Sequence, residues 1–297
     1  MQFLISIFAL IFISGCNQEK TSGLLWKISE GTNVIYLQGV MHAGPERYVA
    51  PSTKTLSIFN AAQHVVVESI NENPSQEYRQ KSGELSEANR VSLRALLDKL
   101  FFDRFLTAQE YTDALAFDVT HYDHAFTPAF SKKINRDKSL SSLFGDFKLG
   151  LDSTLAKSAI SKGKHVSALE QNYNQRLTWH KTCKVNELFP SIIRSYEQLI
   201  YEDRSLLTMR DIYIEVASGN LEKARISISN LERLLPHYKV NGDCSYHPRT
   251  KQWAENWESV MKRAPNGLVL VGAYHVVQEP TLLTLLREKG YVVERLP

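Results

Sequence analysis

The sequence predicts an α/β protein whose mixed central sheet is built from both chain ends and covered by helices, with a large helical insertion between. Three observations carry this expectation. Strand-like β-branched runs lie near both termini, as in Val34-Ile35-Tyr36-Leu37 and Leu268-Val269-Leu270-Val271. Two shorter runs, His64 to Ser69 and His165 to Leu169, stand between them. The intervening stretches repeat their apolar residues at helical spacing, so helices must cover the sheet.

The elements follow in order. Leu24 to Ser29 and Asn33 to Val40 alternate apolar and polar residues around Glu30-Gly31-Thr32, a hairpin signal. Ser52 to Ala62 reads as a helix with Ser52 as its N-cap, and His64 to Ser69 as a short buried strand. Asn71 to Glu84 is polar and reads as loop. From Glu87 to about Ala125, Leu93, Leu96, Leu97, Leu100, Phe101 and Phe105 mark two or three helices. Asp152 to Lys162 is a helix feeding the strand His165 to Leu169. Gln171 to Ala217 and Asn220 to Leu235 are helical, the second followed by Pro236. Thr250 to Lys262 is another helix, followed by Pro265-Asn266-Gly267 and the strand Leu268 to Val271. Pro280 to Lys289 reads as a helix with proline in its first turn and Gly290 as its stop, and Tyr291 to Leu296 as the closing strand. Residues 86–145 and 186–235 would form a helical layer, and no linker divides residues 23–297 into separate domains.

The chain has 297 residues, 43% hydrophobic and 23% charged, which is ample for a sizeable core. A net charge of +3 with mixed signs along the chain gives no basic field, which argues against nucleic acid as a partner. Residues 1–16 differ from the rest. Phe3 to Ile13 is almost wholly apolar, too short to span a bilayer as a helix and of the length of a signal-peptide core. It ends in Ile13-Ser14-Gly15-Cys16, which resembles the lipobox of bacterial lipoproteins, although Met1-Gln2 carries no basic residue. The resemblance implies acylation of Cys16 and a lipid-anchored protein of the bacterial cell envelope. Asn17 in place of Asp favours the outer membrane, facing the periplasm, over the inner membrane. An exported chain meets an oxidising compartment, so Cys183 and Cys244 are expected to form a disulfide rather than stand as two buried thiols.

The chemistry is concentrated in two Gly-x-x-His elements, Gly39/His42 and Gly272/His275, each leaving a strand-like run. With 14 Gly and 9 His, the pattern is expected by chance about half a time; two occur, in matching settings. A glycine upstream that lets the backbone turn sharply would present each imidazole at a strand mouth. His64, His121, His124, His165, His180, His237 and His247 have no partner at ligand spacing; His121 and His124, three apart, read as a solvated helix face. No phosphate loop, nucleophile elbow or HExxH helix is present, which removes nucleotide-dependent, serine-hydrolase and zincin readings.

The ordered set Gly39/His42, Glu68 after Val65-Val66-Val67, and Gly272/His275 resembles the TraB/GumN family, which includes the animal Tiki proteins. Gly150-Leu151-Asp152, the stretch Lys162 to Glu170, Gln175, Arg249 before Trp253, and the ending Leu282 to Glu294 extend the resemblance over residues 23–297. Two departures stand out: Thr250 follows the motif arginine where Asn is expected, and the glycines after the second histidine are replaced around Gln278 to Thr281. The resemblance implies a metal-dependent hydrolase, peptidase-like because the animal relatives are described as metal-dependent proteases, acting on a peptide or another envelope substrate with Mn or Co.

The residues themselves give two imidazoles and one carboxylate, enough to hold a divalent metal with a position left for water; Zn, Mn, Co and Fe all suit these ligands. His42, His275 and Glu68 are the metal ligands on this reading. Glu68 has the alternative role of base, with Glu170 or Asp152 then completing the set, or that of a strand-end salt-bridge partner. Glu170 reads equally as a second functional carboxylate or a cap acceptor, and Asp152 more readily as the N-cap of its helix. Arg249 either clamps a substrate anion or pairs with Glu170, the pair being favoured. Tyr274 points at the site or into the core. Glu68→Gln is expected to keep the fold while losing metal. The rival reading is a non-catalytic envelope lipoprotein holding a ligand or an iron or haem species in the same cleft.

Overall fold

The computed structural model describes residues 23–69, 85–115, 122–138, 140–141, 147–170 and 184–297. The lipobox with Cys16, the expected loop 71–84, His121, His180 and Cys183 lie outside these residues. Among the described residues, no helix is long and apolar enough to cross a membrane.

Among the described residues eight strands form: β1 (Leu24–Glu30), β2 (Asn33–Val40), β3 (Ala43–Pro45), β4 (His64–Val67), β5 (Phe147–Leu149), β6 (His165–Ala168), β7 (Leu268–Gly272) and β8 (Val292–Arg295). Six make one mixed sheet in the order β6-β4-β7-β2-β1-β8. The β1–β2 hairpin turns at Gly31, whose φ of 57° is a left-handed conformation that glycine adopts without steric cost. β8 pairs with β1, and β7 inserts between β2 and β4, so both chain ends do build the sheet. β2, β7, β4 and β6 are mutually parallel and therefore finish at one edge.

Side-chain alternation sorts the core onto two faces. Val66, Val269 and Val271 join Leu37, Trp253, Trp257 and Leu286 on one face, while Val65, Val67, Leu268 and Leu270 join Phe59, Leu155 and Ala159 on the other. The inserted helices carry an apolar cluster of their own, with Leu97, Leu100, Phe126, Phe189 and Ile200 at its centre.

Most expected helices form. Thr53–Ala61 is capped by Ser52, whose Oγ accepts from the Thr55 N–H at 3.0 Å, and Leu221–Leu234 is capped by Asn220. Two expectations change, and one small sheet is new. The helix placed at Pro280 begins at Leu282, because Thr281 takes the cap by accepting the Thr284 N–H at 2.9 Å. The helix placed at Thr250 is two helices, His247–Glu255 and Trp257–Arg263, preceded by a π-helical turn at Gly242–Tyr246 that holds Cys244. β3 and β5 pair as a separate two-stranded sheet; at three residues each they are too short to show any period.

Candidate functional site

Each strand of the parallel group hands a polar side chain to the shared edge. His42 follows β2, Glu68 follows β4 directly, Glu170 follows β6, and His275 sits in the short helix Tyr274–Val277 after β7. Register keeps them level: Val40 pairs with Gly272, Val67 with both Leu270 and Ala168, and the Glu170 N–H donates to the Glu68 carbonyl at 3.0 Å. The carboxyl edge of a parallel sheet is where α/β proteins place their ligands.

Glu68 is the hub. Its Oε1 lies 3.6 Å from His42 Nε2 and 3.7 Å from His275 Nε2, and accepts the Gly272 N–H at 2.5 Å. Its Oε2 accepts from an Arg249 terminal nitrogen at 2.7 Å, while Arg249 Nε donates to Glu170 Oε1 at 2.5 Å. Arg249 thus spans two buried carboxylates, its guanidinium 5.0 Å from the Trp253 ring centre. The pairing with Glu170 is present, and Glu68 joins it.

Electrostatics follow from this wiring. Burial alone would raise the Glu68 carboxyl, but Arg249 above all, with His42 beside it, holds it well below the usual carboxylate range. Arg249 stays charged: burial opposes this, and Glu68 and Glu170 outweigh it. His275, only 2% exposed, is pushed down to about 3 by burial and is neutral. Burial also acts downward on His42, yet Glu68 and Asp152 raise it to about 10. Its ring is 56% exposed at the mouth of the site, so solvent screens this pairing.

Asp152 is a partner of His42, not a helix cap. Gly150 occupies the N-cap of helix Leu151–Ser161, its carbonyl accepting the Thr154 N–H at 3.1 Å. That frees Asp152, in the first turn, to bond His42 Nδ1 through Oδ2 at 2.9 Å. Gly150 itself packs so closely that a side chain there would collide with the Met41 and His42 carbonyls.

The motif glycines serve space rather than turning, since neither has a positive φ. A Cβ on Gly272 would lie 2.8 Å from His42 Nε2 and 3.1 Å from Glu68 Oε1. A Cβ on Gly39 would lie 2.7 Å from a methyl of Val276, one residue past His275.

Tyr274 spends its hydroxyl on Glu232 Oε1 at 2.9 Å, and its ring packs on Tyr246 of the π turn and on His247. Thr250, which the sequence marked only as a departure, touches the site: its Oγ1 lies 2.7 Å from His275 Nδ1 and donates to the Tyr246 carbonyl at 2.7 Å. Its place immediately after Arg249 was the available signal. His64 and His165 pair across the opposite edge of the sheet, away from this cluster.

A mixed α/β sheet with two imidazoles, two carboxylates and a buried arginine at the carboxyl edge of its parallel strands defines the class: an α/β protein with a polar site at the strand ends. Residues 24–295 match the TraB/PrgY/gumN family, and the chain belongs to that family. No curated protein and no solved structure matches it significantly.

Proposed function

We propose that this protein is a metal-dependent, peptidase-like hydrolase of the bacterial cell envelope, with His42, His275 and Glu68 as ligands of a divalent cation. The observation that carries the reading is the convergence of two imidazole nitrogens on one oxygen of Glu68, at 3.6 and 3.7 Å. With metal–ligand bonds of about 2.0–2.2 Å, neighbouring ligand atoms of a tetrahedral shell lie about 3.3–3.6 Å apart. The donor types suit Zn, Mn or Co. Among the described residues no ready-made cage of three or more His, Cys, Asp or Glu exists, so the fit rests on donor chemistry and these separations.

A divalent cation held there would supply Lewis acidity that makes water a nucleophile near neutral pH. The remaining work belongs to the protein. Asp152 orients the His42 ring through Nδ1 and directs Nε2 at Glu68. Arg249 holds Glu68 ionised and fixes both Glu68 and Glu170 by hydrogen bonds, and at 6% exposure it positions these carboxylates rather than clamping substrate. Glu170 acts through Arg249. Glu68 keeps both roles open to it, ligand and base. The lipobox-like Cys16, with its implied membrane anchor, and the Cys183–Cys244 bridge complete the proposal of an envelope protein.

Metal analysis of the protein purified without chelators, beside a His42→Ala, His275→Ala double variant, tests the reading. Stoichiometric metal in the parent and loss in the double variant, with cleavage of a peptide library, is the expected result. Metal content equal in both would overturn the ligand assignment. Retained metal with no cleavage would reassign the cleft to non-catalytic ligand binding.

A further inference from the structure

We propose that Thr250 is a positioning residue that fixes the tautomer of His275, leaving the Nε2 lone pair directed at the site. The argument is one of proton count. A threonine hydroxyl has a single proton to donate. The Tyr246 carbonyl, 2.7 Å from Thr250 Oγ1, can only accept, so that proton is committed there. His275 Nδ1, 2.7 Å from the same oxygen, must then be the donor. A neutral imidazole carries one N–H, so Nε2 has none and faces Glu68 Oε1 at 3.7 Å as a second acceptor. Two acceptors meeting in a buried site create a place for a cation.

The surroundings keep the ring in this pose. The Trp253 ring lies 4.3 Å from the His275 ring centre, and Tyr246 meets it edge-on at 5.5 Å. Thr250 is itself only 1% exposed, in the first turn of helix His247–Glu255, where its hydroxyl bonds back to the carbonyl four residues earlier, that of the N-cap residue Tyr246. Without the hydroxyl, nothing in this arrangement would reward a proton on Nδ1. The proton would gain by moving to Nε2, where Glu68 Oε1 can accept it. That move would block the nitrogen that the proposed metal site needs; this consequence alone rests on the functional reading above.

The test is the tautomer of His275 in the metal-free protein, read from long-range ¹H–¹⁵N correlation spectra of ¹⁵N-histidine-labelled samples. The parent and Thr250→Ser should show a protonated Nδ1 and a bare Nε2. Thr250→Val should shift His275 toward the Nε2-protonated form, and Thr250→Ala provides the same readout if valine disturbs packing. Titration with Mn or Zn alone should show affinity lowered about 10- to 100-fold in Thr250→Val and largely kept in Thr250→Ser. An unchanged Nδ1-protonated His275 in both Thr250→Val and Thr250→Ala would overturn the inference. If the tautomer shifts while the parent binds no metal, the positioning role stands and the metal-site reading falls.

Discussion

Gly272 makes room for His42: a methyl group on this glycine would lie 2.8 Å from His42 Nε2, although 230 positions separate the two in the chain. Because Gly272 does not use a positive φ, alanine is compatible with its backbone, and the cost of Gly272→Ala falls on the site. His42 is exposed at the mouth and can swing away, so the fold should lose little. Gly39→Ala meets a harder neighbour, the fully buried Val276, and should cost about 1–3 kcal/mol of overpacking. The expected pattern is crossed. Gly39→Ala lowers the urea midpoint more, while Gly272→Ala lowers metal affinity more, about tenfold or greater. Equal metal affinity in Gly272→Ala and the parent would remove the steric role given to this glycine.

That pair also shows where sequence reasoning reached and where it stopped. The strands were legible because Val65-Val66-Val67 and Leu268 to Val271 are apolar, valine-rich runs bounded by polar or turn residues, and Ser52 announces its helix as a cap. The meeting of His42 and His275 was legible from matched motifs at strand ends, and Glu68 from the family resemblance. The reason for the glycines was not, because a collision between Gly272 and His42 exists only after β7 has paired with β2. Asp152 was misread for a similar reason: a local cap rule competes with a tertiary bond to His42 that no spacing reveals. Thr250 carried only one signal, its place beside Arg249, because its contact with His275 exists only once helix His247–Glu255 packs against the end of β7.

Export gives two predictions that involve Cys16 and Cys183, both outside the described residues. If Ile13-Ser14-Gly15-Cys16 is a lipobox, Cys16→Ser should abolish fatty-acid labelling and leave an uncleaved precursor; labelling at the parental level would refute it. In the exported protein, non-reducing peptide mapping should link Cys183 to Cys244, closing a loop of about sixty residues and adding roughly 3–4 kcal/mol by loop-closure entropy. Quantitative alkylation of both thiols in the unfolded, unreduced protein would exclude the bridge.

Asp152 predicts a pH-dependent contribution to stability through His42. The imidazole is raised from 6.5 in the unfolded chain to about 10 in the metal-free fold, burial being outweighed by Glu68 and Asp152. A raised pKa stabilises the fold fully below about pH 6.5 and loses that effect as pH climbs through about 10. Asp152→Asn should therefore be less stable than the parent at pH 6, with the difference closing toward pH 11. Urea midpoints of the two proteins across this range measure it; a gap that widens with pH would contradict the assigned sign.

Arg249, Glu68 and Glu170 should behave as one unit. Both Glu68 oxygens already accept hydrogen bonds, Oε1 from the Gly272 N–H and Oε2 from Arg249. An amide in either orientation turns its NH₂ against one of those donors. Glu68→Gln, expected from shape alone to spare the fold, should instead destabilise it, leaving Arg249 buried with half its charge partner gone. Breaking one member of a buried ion cluster costs on the order of 3–5 kcal/mol, and Arg249→Met should cost about as much by stranding two carboxylates. Replacing all three together, as Arg249→Met with Glu68→Gln and Glu170→Gln, removes the uncompensated charges and should cost less than the sum of the single changes. Urea unfolding of the singles and the triple measures this directly. Additive losses would show that the three side chains contribute independently, whatever their distances.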